Sequence, residues 1–316
     1  MAVRGSTTRL GLIGAGRWGS RYVHTIQGTP RAALARISTE RSDVSALVVP
    51  ACQVDASWQS LIDARDLDGV IIATPPPLHY AMVRHALLRD LPVLVEKPLT
   101  MDVTEARTLR ELALQRSVPM LVDHVYLYHP AYRALRLQLG SNPPLRIKGN
   151  AGNAGPFRPD APVLWDYGPH DVAMCLDLVG EAPIRVSAQR LDRRRVGTAV
   201  GETVRLVLEF ASGATADLTL SNILDRRVRT LSVETGSERL VFDDAGETKV
   251  YREQVDGSGL REAIPFVAES PLKVVVREFV EAINRGTPTD RDAELATEVV
   301  VTLTRCAAAL ESVGSL

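Results

Sequence analysis

Three groups of residues in this chain of 316 have types and spacings that could do chemistry. The first is Gly14-Ala15-Gly16-Arg17-Trp18-Gly19, directly after the apolar run Leu10-Gly11-Leu12-Ile13. Glycine at 14 permits a tight turn, at 16 a close approach of pyrophosphate to the backbone, and at 19 tight packing of a helix on its strand. The N–H groups at that helix start would face the phosphate anion. Such turns also serve plain packing, but the position after an N-terminal strand favours a nucleotide. The second group is Thr74-Pro75-Pro76 and Glu96-Lys97-Pro98, each closing a short apolar strand. Ligands of open α/β sheets bind beyond the carboxyl ends of strands, which places Lys97 for function rather than as an ordinary surface lysine. The third is Trp165-Asp166-Tyr167-Gly168-Pro169-His170-Asp171. Asp166 and His170 are four apart and share a face if helical. A carboxylate beside an imidazole can raise its basicity and fix its orientation, as general acid–base work requires. On spacing alone, a helix start capped by Asp166 with His170 satisfied in the core is an equal reading.

The elements that must position these groups follow from periodicity. The first strand leads into a helix over Arg17–Gln27, a strand over Ala33–Ser38, and a short helix capped at Ser42-Asp43 and running through Val49. A helix over Trp58–Ala64 precedes Gly69-Val70-Ile71-Ile72-Ala73, a strand apolar on both faces and stopped by the prolines. A helix over Leu78–Arg89, the strand Pro92–Val95, a helix ending near Arg116 and the strand Met120–Val122 complete an alternation that predicts a parallel sheet with right-handed crossovers. After about residue 123 the pattern changes. Helices are expected over Pro130–Leu139 and Trp165–Leu178, with a loop over Gly149–Pro162 between them. Period-two stretches such as Val204–Phe210 and Ala216–Leu220, between Ser-Gly and Thr-Gly turns, predict a largely antiparallel sheet with one wetted face over Ile184–Arg252. Helices over Pro271–Asn284 and Asp292–Leu310 close the chain, and the cluster Arg193-Arg194-Arg195 reads as a solvated loop. The division expected is a dinucleotide-binding domain over 1–122 and a substrate-binding and oligomerisation domain over 123–316.

With 45% hydrophobic and 24% charged residues the composition is that of a globular protein, and the length suits two domains. A net charge of −1 steers it toward neither nucleic acid nor a membrane surface. No apolar run approaches the ~20 residues of a bilayer span, and Met1–Arg9 has no apolar core of a signal peptide. Cys52, Cys175 and Cys306 lie far apart and form no metal-ligand pattern, so no metal is expected and a reducing cytoplasm is the simplest home.

Taken together, Gly14-x-Gly16-x-x-Gly19, Ala73-Thr74-Pro75-Pro76-x-x-His79, Glu96-Lys97-Pro98 and Asp166-x-x-x-His170-Asp171 resemble, in order and over essentially the whole chain, the Gfo/Idh/MocA oxidoreductases. The Trp165–Asp171 string looks most like members near the sugar-nucleotide dehydrogenases. The resemblance implies an α/β fold with an N-terminal Rossmann parallel sheet, followed by a C-terminal α/β domain on an open, mainly antiparallel sheet. It implies a cofactor site drawn from Gly14, Gly16, Arg17, Trp18, Gly19, Ser38, Thr39, Arg41, Thr74, Pro75, Pro76, His79, Glu96 and Lys97. Carried over, Lys97, Asp166 and His170 face the nicotinamide. Oxidising a secondary alcohol needs hydride loss to the cofactor and removal of the hydroxyl proton. His170 can take that proton and Lys97 can stabilise the developing alkoxide, with the division between them left open. Asp166 would orient His170.

Cofactor choice turns on the end of the second strand, Ala35-Arg36-Ile37-Ser38-Thr39-Glu40-Arg41. Rossmann proteins that prefer NAD carry an acidic residue about 20 residues after the glycines, on the ribose 2′-OH. Ser38 or Thr39 takes that place here, and Arg41 lies within reach of a 2′-phosphate, which favours NADP over NAD. Glu40 could still bind the ribose if the strand runs further. In Asp123-His124-Val125-Tyr126-Leu127-Tyr128-His129-Pro130, alternation puts His124, Tyr126 and Tyr128 on one side. Packing is the main role of the segment, and His124, Tyr126 and Trp165 are the candidates to line a substrate pocket. His24 and His85 read as helix-surface residues.

The function expected is therefore an NAD(P)-dependent dehydrogenase or reductase acting on the secondary alcohol or ketone of a sugar, sugar nucleotide or cyclic polyol. An imine reductase, an NAD-dependent glycosidase and a non-catalytic nicotinamide-binding sensor are the other uses of this framework. The only partners expected are the small-molecule substrate and further copies of the chain, as a homodimer or homotetramer, since the uncovered sheet face must be wet or paired.

Overall fold

In the computed structural model, residues 7–158, 161–236, 238–256, 258, 260–286 and 290–313 are described. The chain divides into two compact units, Met1–Val125 with Ser270–Val300, and Tyr126–Glu269 with Val301–Leu316. Residues 1–6 of the expected leader-free N-terminus lie outside the described residues.

The first unit alternates strand and helix: β1 Thr8–Ile13, α1 Arg17–Gln27, β2 Ala32–Ser38, α2 Val44–Leu47, β3 Gln53–Val54, α3 Trp58–Ile62, β4 Gly69–Ile72, α4 His79–Leu88, β5 Val93–Glu96, α5 Val103–Arg116 and β6 Met120–Asp123. The six strands form one parallel sheet in the order β3-β2-β1-β4-β5-β6, the doubly wound arrangement whose crossing point lies between β1 and β4. Strands β4, β5 and β6 are buried along their whole length, as strands covered on both faces must be. The short helix expected through Val49 is confined to Val44–Leu47, and Asp43 makes no side-chain cap to it.

The helix Pro271–Arg285 belongs to this unit and not, as expected, to the second. Gly69 opens β4 facing it, and a Cβ there would lie 2.7 Å from Ile283 and 3.0 Å from Phe279. Asn284 reaches Thr8 at the start of β1. Its Val275, Val276 and Phe279 are fully buried, so an amphipathic helix far along the sequence completes the core of the sheet.

The second unit holds α6 Pro130–Leu139, β7 Arg146–Ala154, α7 Val163–Val179, β8 Arg185–Val196, β9 Ala199–Glu209, β10 Thr215–Ser221, β11 Ile223–Thr235, β12 Glu238–Asp243, β13 Val250–Gln254 and β14 Glu262–Ala263. These strands form an open sheet, β14-β13-β12-β11-β7-β10-β9-β8, antiparallel except where β7 lies beside β10. Two expectations change here. Residues 149–154, read as loop, are a central strand whose glycines serve close packing. A Cβ on Gly149 would lie 2.7 Å from Leu218, and one on Gly152 would lie 2.4 Å from the Ser221 carbonyl oxygen. Arg193, Arg194 and Arg195, also read as loop, are exposed positions of β8 paired with β9. The helix Asp290–Val313 closes the chain. The three cysteines are buried thiols. Among the described residues no helix is long and apolar enough to cross a membrane.

Candidate active site

The glycine turn joins β1 to α1. Gly14 has φ +90°, and a Cβ there would meet the Ala73 carbonyl oxygen at 2.6 Å, because the turn presses against the end of β4. A Cβ on Gly19 would lie 2.0 Å from the Gly14 carbonyl oxygen, so the helix is glycine-bound to its strand. Beside Gly16 there is nothing within 4 Å of a Cβ position. Two glycines are thus required by the protein itself, whereas Gly16 opens on space at a helix N-terminus. That pattern fits a pyrophosphate resting on the backbone, and with it a nicotinamide dinucleotide.

Arg17 is exposed and Trp18 half-buried, with the Arg21 guanidinium 4.6 Å from the Trp18 ring centre. Ser38 is buried at the end of β2 and its carbonyl accepts from Gly14 N. The Thr39 hydroxyl accepts from Ala15 N and Arg41 N. Arg41 forms a two-pronged ion pair with Asp43 and donates to Ser20 Oγ at 3.0 Å, so its guanidinium sits over the glycine turn.

At the carboxyl edge of the sheet, Pro75 is exposed and Pro76 buried. His79 is fully buried, with Nε2 2.9 Å from the Thr74 carbonyl and Nδ1 2.9 Å from the Pro98 carbonyl. Both ring nitrogens are engaged by main chain. The side chain that the resemblance puts in the cofactor site thus bridges the two edge loops, joining the Thr-Pro-Pro turn to the Glu-Lys-Pro turn. Lys97 is the partly exposed residue between buried Glu96 and Pro98. The Glu96 carboxyl turns inward, against Tyr22 and Asp123. Burial and the neighbouring Asp123 push its pKa up to about 8.

The segment after β6 does not alternate. Val125–Tyr128 is a 3₁₀ turn, and the division into units falls between Val125 and Tyr126. His124 is 2% exposed in the first unit, its pKa pushed down to about 3 by burial and by Lys97. Tyr126 belongs to the second unit, where its ring meets His170 edge-on at 5.0 Å.

Helix α7 carries Trp165, Asp166 and His170, preceded by Pro162, which cannot continue a helix backward but is tolerated at its start. Trp165 and His170 are both 8% exposed. The Asp166 carboxylate is 3.5 Å from the Arg158 guanidinium. Beneath His170, Asp171 pairs with Arg229 of β11 in the core. The Arg229 guanidinium lies 4.4 Å from the Tyr126 ring centre and 5.9 Å from that of Tyr167. A chain of contacts thus runs from the buried ion pair through Tyr126 to His170. Sequence reasoning missed Arg229, Arg158 and Tyr22. For Arg229 a signal existed: it falls in the same alternation as buried Leu231 and Val233, an arginine on the apolar phase of a strand.

Residues 8–124 match the model of the oxidoreductase family with an NAD-binding Rossmann fold, and residues 145–235 match the GFO/IDH/MocA C-terminal domain. A solved structure from Magnetospirillum magnetotacticum MS-1, named provisionally as an oxidoreductase, superposes with a TM-score of 0.88 at 39% identity, covering 95% of this chain and 100% of that one. Among characterised relatives, UDP-N-acetylglucosamine 3-dehydrogenase of Acidithiobacillus ferrooxidans is 26% identical over 96% of this chain and 97% of its own. Inositol 2-dehydrogenase 4 of Saccharopolyspora erythraea is 29% identical over 79% of this chain and 78% of its own. The glycine turn, the two edge motifs and the α7 histidine therefore stand in a member of the Gfo/Idh/MocA oxidoreductase family.

Proposed function

We propose that this oxidoreductase transfers a hydride between NAD(P) and the secondary alcohol or ketone of a sugar, sugar nucleotide or cyclic polyol. The observation that carries the reading is His170, a nearly buried imidazole braced by Tyr126 and, behind it, by the Arg229–Asp171 pair. A general base needs a fixed ring, and such bracing supplies it. The relatives that act on UDP-N-acetylglucosamine and inositol support the substrate class.

When bound, the nicotinamide supplies the hydride-accepting carbon. Gly14, Gly16, Arg17, Trp18 and Gly19 would hold the pyrophosphate, Ser38, Thr39 and Arg41 the adenosine ribose, and Thr74, Pro75, Pro76 and Lys97 the nicotinamide end. His170 takes the hydroxyl proton in the oxidative direction, Lys97 stabilises the alkoxide, and Asp166 keeps His170 oriented. Trp165 and Tyr126 line the substrate. NADP is preferred over NAD on the strength of Arg41 and the absence of an acid at 38 and 39. The preference is modest, since Asp43 already occupies the Arg41 fork.

The chain works as a homodimer or homotetramer in the cytoplasm. The open sheet leaves the face carrying Arg205 and Asp217 exposed, a face that must be wetted or paired with another copy, and the unlinked thiols suit a reducing compartment. The test is a screen of UDP-sugars and inositols against NAD and NADP, read as a lasting change in nicotinamide absorbance. Absence of turnover across both classes overturns the substrate reading.

A further inference from the structure

Three polar side chains at the carboxyl end of β5 and β6 are buried, and they hold polar atoms for which the described residues offer no hydrogen-bond partner. These atoms are Glu96 Oε1, Asp123 Oδ1 and both ring nitrogens of His124. Glu96 and Asp123 are directly opposite each other on neighbouring parallel strands and are the last residue of each. Strand side chains alternate between faces, so partners in register point to the same side of the sheet. That side is covered by α1, whose fully buried Tyr22 donates its hydroxyl to Asp123 Oδ2 at 2.5 Å.

Two ionised carboxylates cannot be held side by side out of water without strong repulsion. The groups acting on them are Tyr22 from α1, Lys97 at the end of β5 and each other; the adjoining His124 is held neutral. Lys97 is one positive charge facing two acids. A single proton held by the Glu96–Asp123 pair balances the charge and leaves one carboxylate in place of two in the buried site.

We propose that Glu96 and Asp123 hold one proton in common and, through the single negative charge they retain, act as positioning residues for Lys97, with Tyr22 tying the pair to the helix that begins at the glycine turn. Burial raises both acids into the neutral range, to about 8 for Glu96 and about 6 for Asp123. Loss of the shared proton to solvent in alkali leaves two charges against one cation and draws the ammonium inward, away from a substrate. The positioning role rests on the assignment of Lys97 to catalysis; the shared proton does not.

Two measurements test it. Infrared spectra of the full chain without cofactor should show the carbonyl stretch of a protonated carboxyl at neutral pH, absent in Glu96→Gln. Thermal stability of the parent should decline as pH rises to about 8, and Glu96→Gln, which keeps the shape and one charge, should flatten that decline. Tyr22→Phe provides a second variant, in which the band should persist at shifted frequency. A band missing from the parent, or one retained in Glu96→Gln, overturns the shared proton. For positioning, the pH profile of turnover on the substrate found by screening should decline in alkali for the parent and not for Glu96→Gln, with the decline restored by Glu96→Asp. An unchanged alkaline limb overturns positioning. Full turnover in Lys97→Ala would instead remove the assignment of Lys97, while the infrared and unfolding results would still report on the proton.

Discussion

Arg229 lies 4.4 Å over the ring of Tyr126 while its guanidinium is paired with Asp171 in the core, and the same ring meets that of His170 at right angles. The arginine thus does two separable things. It neutralises a fully buried carboxylate that burial would otherwise push toward protonation, and it presses an aromatic ring against the candidate base.

Removing one partner of a buried pair leaves an uncompensated charge, so Arg229→Ala should cost about 3–5 kcal/mol in chemical denaturation. Replacing both partners with apolar residues, as in Asp171→Leu with Arg229→Met, should restore most of that stability. It should not restore turnover, because the cation over Tyr126 is gone. Recovery of both together would mean that the pair serves stability alone.

The glycine turn gives a cleaner separation. A Cβ at Gly16 has no protein atom within 4 Å, so Gly16→Val should fold with nearly unchanged Tm yet lose binding of NAD and NADP in calorimetric titration. Gly19→Val, by contrast, places its Cβ 2.0 Å from the Gly14 carbonyl oxygen and should destabilise the fold itself. Binding at parental affinity by Gly16→Val would remove the pyrophosphate from this turn.

Arg41→Ala should weaken NADP far more than NAD. Asp43→Asn, which frees the guanidinium fork from its present carboxylate, should move the preference further toward NADP. Equal losses for both nucleotides in Arg41→Ala would show that the residue does not meet a 2′-phosphate.

The β5–β6 edge also predicts a stability profile. His124 has a folded pKa of about 3, below the ~6.5 of a free imidazole. The stability it contributes is present above pH ~6.5 and is lost as pH falls toward 3, because the unfolded chain then binds the proton more readily. Glu96 runs the other way. Its folded value of about 8 exceeds the ~4.3 of a free glutamate, so its contribution is complete below pH ~4.3 and lost as pH rises to 8. Between about 4.3 and 6.5 the two slopes oppose each other, each roughly 1.4 kcal/mol per pH unit at most. Asp123, raised to about 6 from the ~3.9 of a free aspartate, adds a second falling slope over about pH 4–6, so the Tm should peak near pH ~4, falling below it with His124 and above it toward pH 8. His124→Phe should remove the acid decline specifically, and an unchanged acid limb would show that His124 is not the group responsible.

The ligand edge of the parallel sheet is legible because β1, β4 and β5 are short, largely apolar and soon followed by glycine or proline, whereas the exposed two-residue β3 carries no such signal. The glycines of β7 misled for a physical reason: Gly149 and Gly152 look like turn residues in sequence, but they answer to side chains and main chain of β10 and β11 that only the fold brings near. The helix Pro271–Arg285 was placed in the wrong unit because amphipathicity states that a helix has a partner and not which one. The motif puts His79 at the cofactor edge, but its seat between the Thr74 and Pro98 carbonyls depends on two loops that only the fold brings together. Asp166 and His170 were found on one helix as their spacing required. The bracing of His170 was not visible, since it depends on Tyr126 and Arg229, which lie far from it in sequence.

The last prediction concerns the chemistry. If His170 is the proton acceptor and Lys97 steadies the alkoxide, His170→Ala and Lys97→Ala should each lower kcat by about 10²–10⁴ while leaving the dissociation constant of the nucleotide nearly unchanged. Both groups serve one proton transfer, so the double variant should lose less than the product of the single losses. In the oxidative direction His170 must be neutral, and the rate should rise with pH on its acid limb; His170→Ala should abolish that limb rather than scale it. Asp166→Asn should retain the ring but loosen its orientation, lowering kcat less than His170→Ala does. Phe at Tyr126 tests the brace separately, since it keeps the edge-on contact with the imidazole. Turnover close to the parent in His170→Ala, measured with a substrate on which the parent is active, would remove the imidazole as the acceptor and leave Lys97 to take the proton.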